Sequence, residues 1–263
     1  MGMGVRSHTE SSALALAGRG GYRDGLGEST ALLFVPRGPI GMHDHLVSHR
    51  DLDPRRLVAP AIGAGVFMAA YLLTRPYGDK TVGATPAETA AAFASPWWVA
   101  AHVFGMLALA SFARLALRAS PMGRRTAAAV GRTTGLVGVV IVLPYFGAET
   151  FALHAVGQRA VAGDPGVLEL VTPIREQPVA MAMFGLGLVL LGVSGIAVAR
   201  VLIPVLGRAA WPLGVLMALL LPQFFLPPTA RMLFGLAVLA AAMVVARAAW
   251  SASGARRDHQ PAA

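Results

Sequence analysis

The sequence predicts an all-α polytopic membrane protein, a bundle of six transmembrane helices. Three observations predict this class. Apolar residues make up 56% of the 263 residues and charged residues only 13%, which leaves too little polar surface to coat a soluble domain of this size. Six long apolar stretches contain almost no acidic residues. Basic residues are concentrated in every second connection between those stretches, as is typical of a membrane protein with one orientation.

The six stretches are residues 57–74, 97–117, 130–156, 178–203, 211–227 and 229–250. At about 1.5 Å rise per residue, each is long enough to cross a hydrocarbon core of about 30 Å, and the fifth is the shortest. Pro144 falls inside the third stretch and predicts a kink there. Small residues in the fourth stretch, among them Gly187 and Gly195, predict close packing against neighbouring helices.

The distribution of basic residues predicts the orientation. Thirteen Arg residues flank one set of helix ends, and only five basic residues flank the other set. The positive-inside rule places the richer side in the cytoplasm, so we expect a multi-pass protein of the plasma membrane with both termini cytoplasmic. The richer side also predicts attraction to anionic lipids of the inner leaflet. Its residues are Arg50, Arg55, Arg56, Arg114, Arg118, Arg124, Arg125, Arg132, Arg200, Arg208, Arg247, Arg256 and Arg257, against Arg75, Lys80, Arg159, Arg175 and Arg231 on the other side.

The two ends of the chain differ from the transmembrane domain, which we assign to residues 51–250. Residues 1–50 are rich in Gly, Ser and Arg and contain only two short apolar runs, 13–17 and 31–35. We therefore expect a disordered or loosely ordered cytoplasmic segment there, and a disordered cytoplasmic tail over residues 251–263. A more ordinary lead-in opens at Met42, so an alternative is that translation starts at that residue.

Several functional classes are not predicted. The chain has no Cys, which excludes disulfides, thiolate nucleophiles and Cys-type zinc or iron–sulfur sites. The formal net charge is +9, but the basic residues follow helix ends rather than one exposed face, so no nucleic-acid partner is expected. Ser111 and Ser194 lack the context of a nucleophile elbow. We expect an integral membrane protein in the lipid bilayer rather than an enzyme, and the sequence leaves open whether it has a protein partner or forms a homo-oligomer.

Five polar residues from four stretches are predicted to lie at one depth, in the outer leaflet. The alternating direction of the helices places His102 near the start of the second stretch, Glu149 and His154 near the end of the third, Gln223 near the end of the fifth and Arg231 near the start of the sixth. Polar residues are rare inside a membrane and commonly mark a functional site. This convergence is the candidate site.

Glu149 is the only acidic residue inside any of the stretches. A carboxylate is costly in lipid, so it should face the bundle and either form a pair or keep its proton. Tyr145 lies one turn earlier on the same face. One interpretation is that Glu149 pairs with Arg231 or hydrogen-bonds to His102 and only fixes helix packing.

Two functional interpretations stand beside that structural one. A buried carboxyl group and histidines could move protons or a solute, because burial shifts their pKa values; the leading hypothesis is a small transporter-like or accessory membrane protein. The alternative is a redox protein in which His102 and His154 ligate haem, or His102, Glu149 and His154 ligate zinc or another metal. No cofactor is predicted by the leading hypothesis.

Two motifs carry a resemblance to a protein family. They are LPYFGAETFALHAVG at residues 143–157 and LPQFFLPP at residues 221–228. Their combination resembles uncharacterised polytopic membrane proteins of high-GC bacteria, and the excess of Arg over the single Lys80 fits such a genome. The resemblance covers the second to sixth stretches. It implies a membrane helix bundle and brings no known activity or ligand with it.

The orientation can be tested with single cysteines in this Cys-free chain. We expect cysteines at Thr85 or Gly166 to react with an impermeant reagent in intact cells, because both lie on the side poor in basic residues. Cysteines at Met122 or Ser253 should react only after permeabilisation. The reverse labelling pattern would contradict the predicted orientation.

Overall fold

The structure is a computed structural model that describes residues 53–258, with side chains described to residue 254. All regular structure in this range is helical. The segment predicted for residues 1–50, including the alternative start at Met42, lies outside the described residues. The helices are α1 (Val58–Thr74), α2 (Pro86–Ala94), α3 (Pro96–Ala119), α4 (Arg125–Gly147), α5 (Leu153–Val161), α6 (Val171–Arg175), α7 (Pro178–Leu206), α8 (Trp211–Ala218) and α9 (Pro228–Asp258).

Five helical segments in the described range are long and apolar enough to cross a membrane. They confirm the all-helical class and are consistent with a multi-pass membrane protein. Five of the six predicted stretches fall in these segments. The remaining one, the fifth stretch at residues 211–227, is not confirmed as a span of its own. The five segments are Pro54–Thr74, Pro96–Met122, Arg125–Val161, Pro178–Ala218 and Pro228–Gly254.

The fifth predicted stretch is only partly helical. It forms α8, whose eight residues rise about 12 Å, and a 3-10 turn over Pro222–Phe225. Proline has no N–H, so Pro222 cannot donate to the carbonyl of Ala218 four residues earlier. The helix therefore ends at Ala218, and a continuous helix of the predicted length does not form.

This partly helical segment nevertheless runs along α7 in the opposite direction. A Cβ on Gly214 would lie 2.7 Å from the Ala199 side chain, and a Cβ on Gly192 would lie 3.1 Å from Ala218. Further on, the Phe224 ring lies 5.0 Å from the Phe184 ring. Residues 211–225 thus return the chain from the end of α7 towards its beginning, and we call them the return segment.

Both ends of the described chain lie at the same end of the bundle. Helices α1 and α9 are antiparallel: a Cβ on Gly65 would contact the backbone of Leu239 at 3.1 Å. The Arg55 Nε donates to the Ser253 Oγ at 2.8 Å, and the Arg55 guanidinium lies 4.4 Å from the centre of the Trp250 ring. We call this the terminal end and the opposite one the cavity end. Because Ser253 is buried in this contact, the position of Met122 suits cysteine labelling better.

Helix α9 continues further than the sequence predicted. It ends at Asp258, so residues 251–258, which were expected to belong to a disordered tail, are helical. The side chain of Ser253 accepts the Arg55 hydrogen bond and donates to the Trp250 carbonyl, which ties this last part of the helix to the start of the bundle.

Small residues allow α4 and α7 to approach closely, as the sequence predicted. The Ser194 Oγ donates to the Gly131 carbonyl at 2.6 Å. A Cβ on Gly138 would lie 2.9 Å from the Gly187 carbonyl oxygen, closer than real Cβ atoms come. Where the hydrophobic effect does not drive association, close packing of this kind stabilises a membrane bundle.

A small helical cap covers the cavity end. It consists of α2, α5, α6 and a 3-10 helix over Pro165–Leu170. Helix α2 begins with a capping box, in which Thr85 and Glu88 bond to each other's backbone N–H groups. Phe93 and Leu153 of the cap form a small core with Trp98 of α3, and all three side chains are fully buried. A π-helical turn, Ala148–Ala152, connects α4 to α5 and so carries the chain from the bundle into the cap.

The α4–α7 contact predicts different effects for two glycines in one helix. Gly187→Ala should lower the free energy of unfolding by about 1–3 kcal/mol, because the new Cβ meets the Gly138 carbonyl at 2.8 Å and the Val142 side chain. Gly185→Ala is the control, since its Cβ would have no neighbour within 4 Å. Unfolding of the purified variants in detergent measures both. Equal losses at the two positions would contradict the packing described.

Candidate functional site

A cavity of about 260 Å³ lies at the cavity end of the bundle, beneath the cap. Four basic side chains line it, Arg75, Lys80, Arg175 and Arg231, together with the carboxylate of Glu149. The remaining walls are largely aromatic. Their rings belong to Tyr71, Tyr145, Phe146, Phe184, Phe224 and Phe225.

Four charged side chains form a continuous chain of ion pairs along one wall. Arg75 Nη2 lies 2.8 Å from Asp79 Oδ2, and Arg175 Nη2 lies 2.7 Å from the same oxygen. Arg175 Nε lies 2.8 Å from Glu149 Oε1. We call Arg75, Asp79, Arg175 and Glu149 the ion-pair chain. It joins the end of α1, the π-helical turn and the end of α6, so it fastens the cap to the bundle.

The neighbouring charges favour the ionised forms of Asp79 and Arg175. Burial by itself would raise the pKa of Asp79, but Arg75 and Arg175 hold that pKa below its usual range. Burial likewise opposes the charge of Arg175, while Glu149 and Asp79 raise its pKa above the ordinary value. One donor and one acceptor, Arg75 Nε and Asp79 Oδ1, are buried without a hydrogen-bond partner among the described residues.

The π-helical turn sets the position of Glu149. Such turns are rare and are frequent at functional sites, and this one begins four residues after Pro144. The Trp98 indole N–H donates to the Glu149 backbone carbonyl at 2.7 Å, while the Tyr145 hydroxyl donates to Glu149 Oε1 at 3.3 Å. The carboxylate is thereby directed towards the bundle axis and the cavity.

Glu149 pairs with a different residue from those considered in the sequence analysis, Arg231 and His102. The carboxylate pairs with Arg175, and Arg231 is not within ion-pair distance of it. The His102 Nε2 lies 3.8 Å from Glu149 Oε2, which is too long for a direct hydrogen bond. Arg175 is the partner because the path of the cap brings α6 over the cavity. The sequence does not reveal that path.

The two candidate histidines have different environments. His102 lines the cavity, and its Nδ1 shares a hydrogen bond of 2.7 Å with the Trp98 carbonyl. His154 does not line the cavity; its Nδ1 lies 2.7 Å from the Phe93 carbonyl in the cap. Within residues 53–258 no three His, Asp or Glu side chains are grouped so that they could hold a metal ion. The geometry therefore adds nothing in favour of the haem or zinc alternative.

Arg231 is the buried cation that has no anionic partner in the described part of the chain. It is 2% exposed, and its Nε donates to the Gln223 side chain at 3.3 Å. Its guanidinium lies 5.1 Å from the centre of the Phe224 ring and 5.6 Å from that of Tyr77. Aromatic rings stabilise a cation without neutralising it. Gln223 thus holds Arg231 in place, although it does not line the main cavity itself.

The structure brings together most of the residues proposed from the sequence and adds several others. His102, Tyr145, Glu149 and Arg231 line the cavity, and Gln223 supports Arg231. Five further site residues were not predicted from the sequence: Tyr71, Arg75, Asp79, Lys80 and Arg175. The basic ones were counted only as charges that set the orientation. One signal was available: Asp79 follows Arg75 by four residues.

Comparison with known proteins identifies no relative. No protein-family model matches the chain, and no curated protein and no solved structure matches it. The functional argument therefore rests on the geometry and the charges of the cavity.

The ion-pair chain predicts a strong effect of Asp79→Asn on stability. This change leaves Arg75 and Arg175 without their shared carboxylate, and breaking a buried pair from one side costs about 3–5 kcal/mol. The matched control is Asp164→Asn, which removes an exposed pair with Arg159 and should cost about 1 kcal/mol or less. Thermal unfolding in detergent compares the two. A similar small loss for both variants would show that the buried network does not hold the cap.

Proposed function

We propose that this is an integral membrane protein that crosses the bilayer six times, with both ends of the chain in the cytoplasm. The Arg55–Ser253 contact supports an even number of crossings, because it joins the two ends of the described chain at one end of the bundle. The return segment is then the fifth crossing. The orientation follows from Arg118 and Arg125, which lie at the terminal end, where α3 ends and α4 begins.

The cavity then opens near the outer surface, and we propose that it binds an anionic ligand. Four basic side chains line it, whereas its only nearby acidic side chains are Asp79 and Glu149 among the residues described. Both carboxylates are already paired, with Arg75 and Arg175. A buried excess of positive charge is costly, and a bound anion would remove that cost.

The single observation that carries this proposal is Arg231. A guanidinium that is 2% exposed and lies against aromatic rings has lost most of its hydration, and no carboxylate in the described chain replaces it. Lys80, an exposed residue at the edge of the cavity, shows the same imbalance, because partial desolvation and the charge of Arg175 lower its pKa. Guanidinium groups bind phosphate and carboxylate through paired hydrogen bonds, so a ligand of that kind fits the site.

The packing below the cavity favours a binding or accessory role, or a transporter-like one that needs rearrangement, over an open channel. Val142 and Leu191 are fully buried and Leu188 is 2% exposed. These side chains fill the bundle beneath the rings of Phe146 and Phe184. An anion would therefore reach the site from the cavity end and be held there.

Inorganic phosphate tests the proposal directly. We expect phosphate, added at constant ionic strength, to raise the melting temperature of the purified protein. Arg231→Gln should weaken this binding about tenfold or more, since hydrogen bonds to charged groups contribute about 1.5–3 kcal/mol. Glu149→Gln should leave it as tight or tighter, because the carboxylate competes with the anion for Arg175.

Arg159→Gln, which removes an exposed cation of the cap, is the control and should bind phosphate like the unaltered protein. The proposal fails if phosphate and sulfate both leave the melting temperature of the unaltered protein unchanged. It also fails if Arg231→Gln binds phosphate with undiminished affinity.

A further inference from the structure

The cavity has two walls of different chemistry. One wall carries the ion-pair chain and Arg231. The cavity lining that α7 and the return segment contribute is apolar, and Arg231 lies beside it, next to the Phe224 ring. At its edge Met181 is 45% exposed and Phe225 is 83% exposed. A ligand that filled this cavity would therefore meet positive charge on one side and hydrocarbon on the other.

The apolar wall continues as a groove along α7. Met181, Gly185, Leu188, Gly192 and Ile196 follow one another at spacings of four or three residues, so they lie on one face of the helix. The first two line the cavity, and the last three line a groove of about 560 Å³ between α7 and the return segment. Leu221 lines both spaces.

The break in the return segment creates this groove. Its α-helix ends at Ala218, and the chain continues to Pro222 beside α7 through hydrogen-bonded turns. Both residues line the groove. From Leu188 to Arg200, the first and last residues of α7 that line the groove, the helix rises about 18 Å, a little more than half of a hydrocarbon core of about 30 Å. The groove therefore has the length of one leaflet.

Gly185 stands apart from the other small residues of α7. A Cβ on Gly187 or Gly195 would meet backbone atoms at 2.8 Å, whereas a Cβ on Gly185 would have no neighbour within 4 Å. Helix packing accordingly does not require a glycine at this position. The missing side chain instead keeps the cavity open at the point where it meets the groove.

We infer that the occupant of this site is an anionic phospholipid of the leaflet on the cavity side, with its phosphate against Arg231 and Arg175 and one acyl chain in the groove along α7. This inference rests on the proposed anion site and specifies its ligand. The charge of the cavity selects the headgroup, and the continuity of the apolar face from cavity to groove accommodates the chain. Such a ligand would enter sideways from the bilayer, past Met181 and Phe225.

The experiment compares three probes on the full chain purified in a neutral detergent. They are phosphatidylglycerol, phosphatidylcholine with the same acyl chains, and inorganic phosphate, each followed by the shift in melting temperature. Each buried methylene of the acyl chain adds to the affinity, so phosphatidylglycerol should bind at least about tenfold tighter than inorganic phosphate. Phosphatidylcholine, whose headgroup carries no net charge, should bind at least about tenfold more weakly than phosphatidylglycerol.

Gly185→Leu tests the path of the acyl chain. The leucine should weaken phosphatidylglycerol binding about tenfold or more and leave phosphate binding unchanged, because it fills the apolar side of the cavity and not the charged wall. Gly147→Leu is the matched control: its Cβ also has no neighbour within 4 Å, and Gly147 lines neither space. It should bind phosphatidylglycerol normally.

Three outcomes would overturn the inference. Equal binding of phosphate and phosphatidylglycerol would leave the anion site standing and remove the lipid. Equal binding of the two lipids would show that the charged wall does not select the headgroup. Undiminished phosphatidylglycerol binding by Gly185→Leu would place the acyl chain elsewhere. Failure of all three probes to bind would instead overturn the proposed anion site itself.

Discussion

The cost of burying charge governs the cavity end of this protein. Arg75 and Asp79 follow α1, Glu149 lies in the π-helical turn and Arg175 ends α6. Each of these buried charges is stabilised by the next one in the chain of ion pairs. A buried ion pair adds little net stability compared with apolar packing, but losing one partner is expensive. The chain of pairs therefore acts as a positional constraint. It allows the cap one arrangement over the bundle, and that arrangement encloses the cavity.

The same constraint divides the basic residues into two groups. Arg75 and Arg175 use both available carboxylates and also lie over the Trp98 ring, at 4.6 and 5.8 Å from its centre. They hold the structure together. Arg231 is held by an amide and by aromatic rings and has no carboxylate partner among the described residues. This division matters for function, because a cluster with no uncompensated positive charge would not attract an anion.

Backbone irregularity is concentrated near the cavity. The long contacts between α1 and α9 and between α4 and α7 are regular, and small residues let these helices approach closely. The exceptions are the π-helical turn that carries Glu149 and the part of the return segment after α8, which ends in a 3-10 helix. Irregular backbone at membrane depth is tolerated where it is buried in protein or lines a cavity. Here it positions the carboxylate and leaves room for the groove.

The sequence by itself predicted the all-helical class, the approximate positions of the five long apolar helices, and that His102, Glu149, Gln223 and Arg231 lie near one another. These properties follow from the lengths of the apolar stretches and from the alternating direction of successive helices, and both can be read along the chain without knowing which helices touch. It did not determine that Arg175 is the partner of Glu149. Only the tertiary structure decided that pairing, the break in the fifth stretch and the groove beside it. Arg175 and Asp79 are 96 residues apart, and which charges meet across such a distance depends on the path of the connecting segments, for which no local pattern exists.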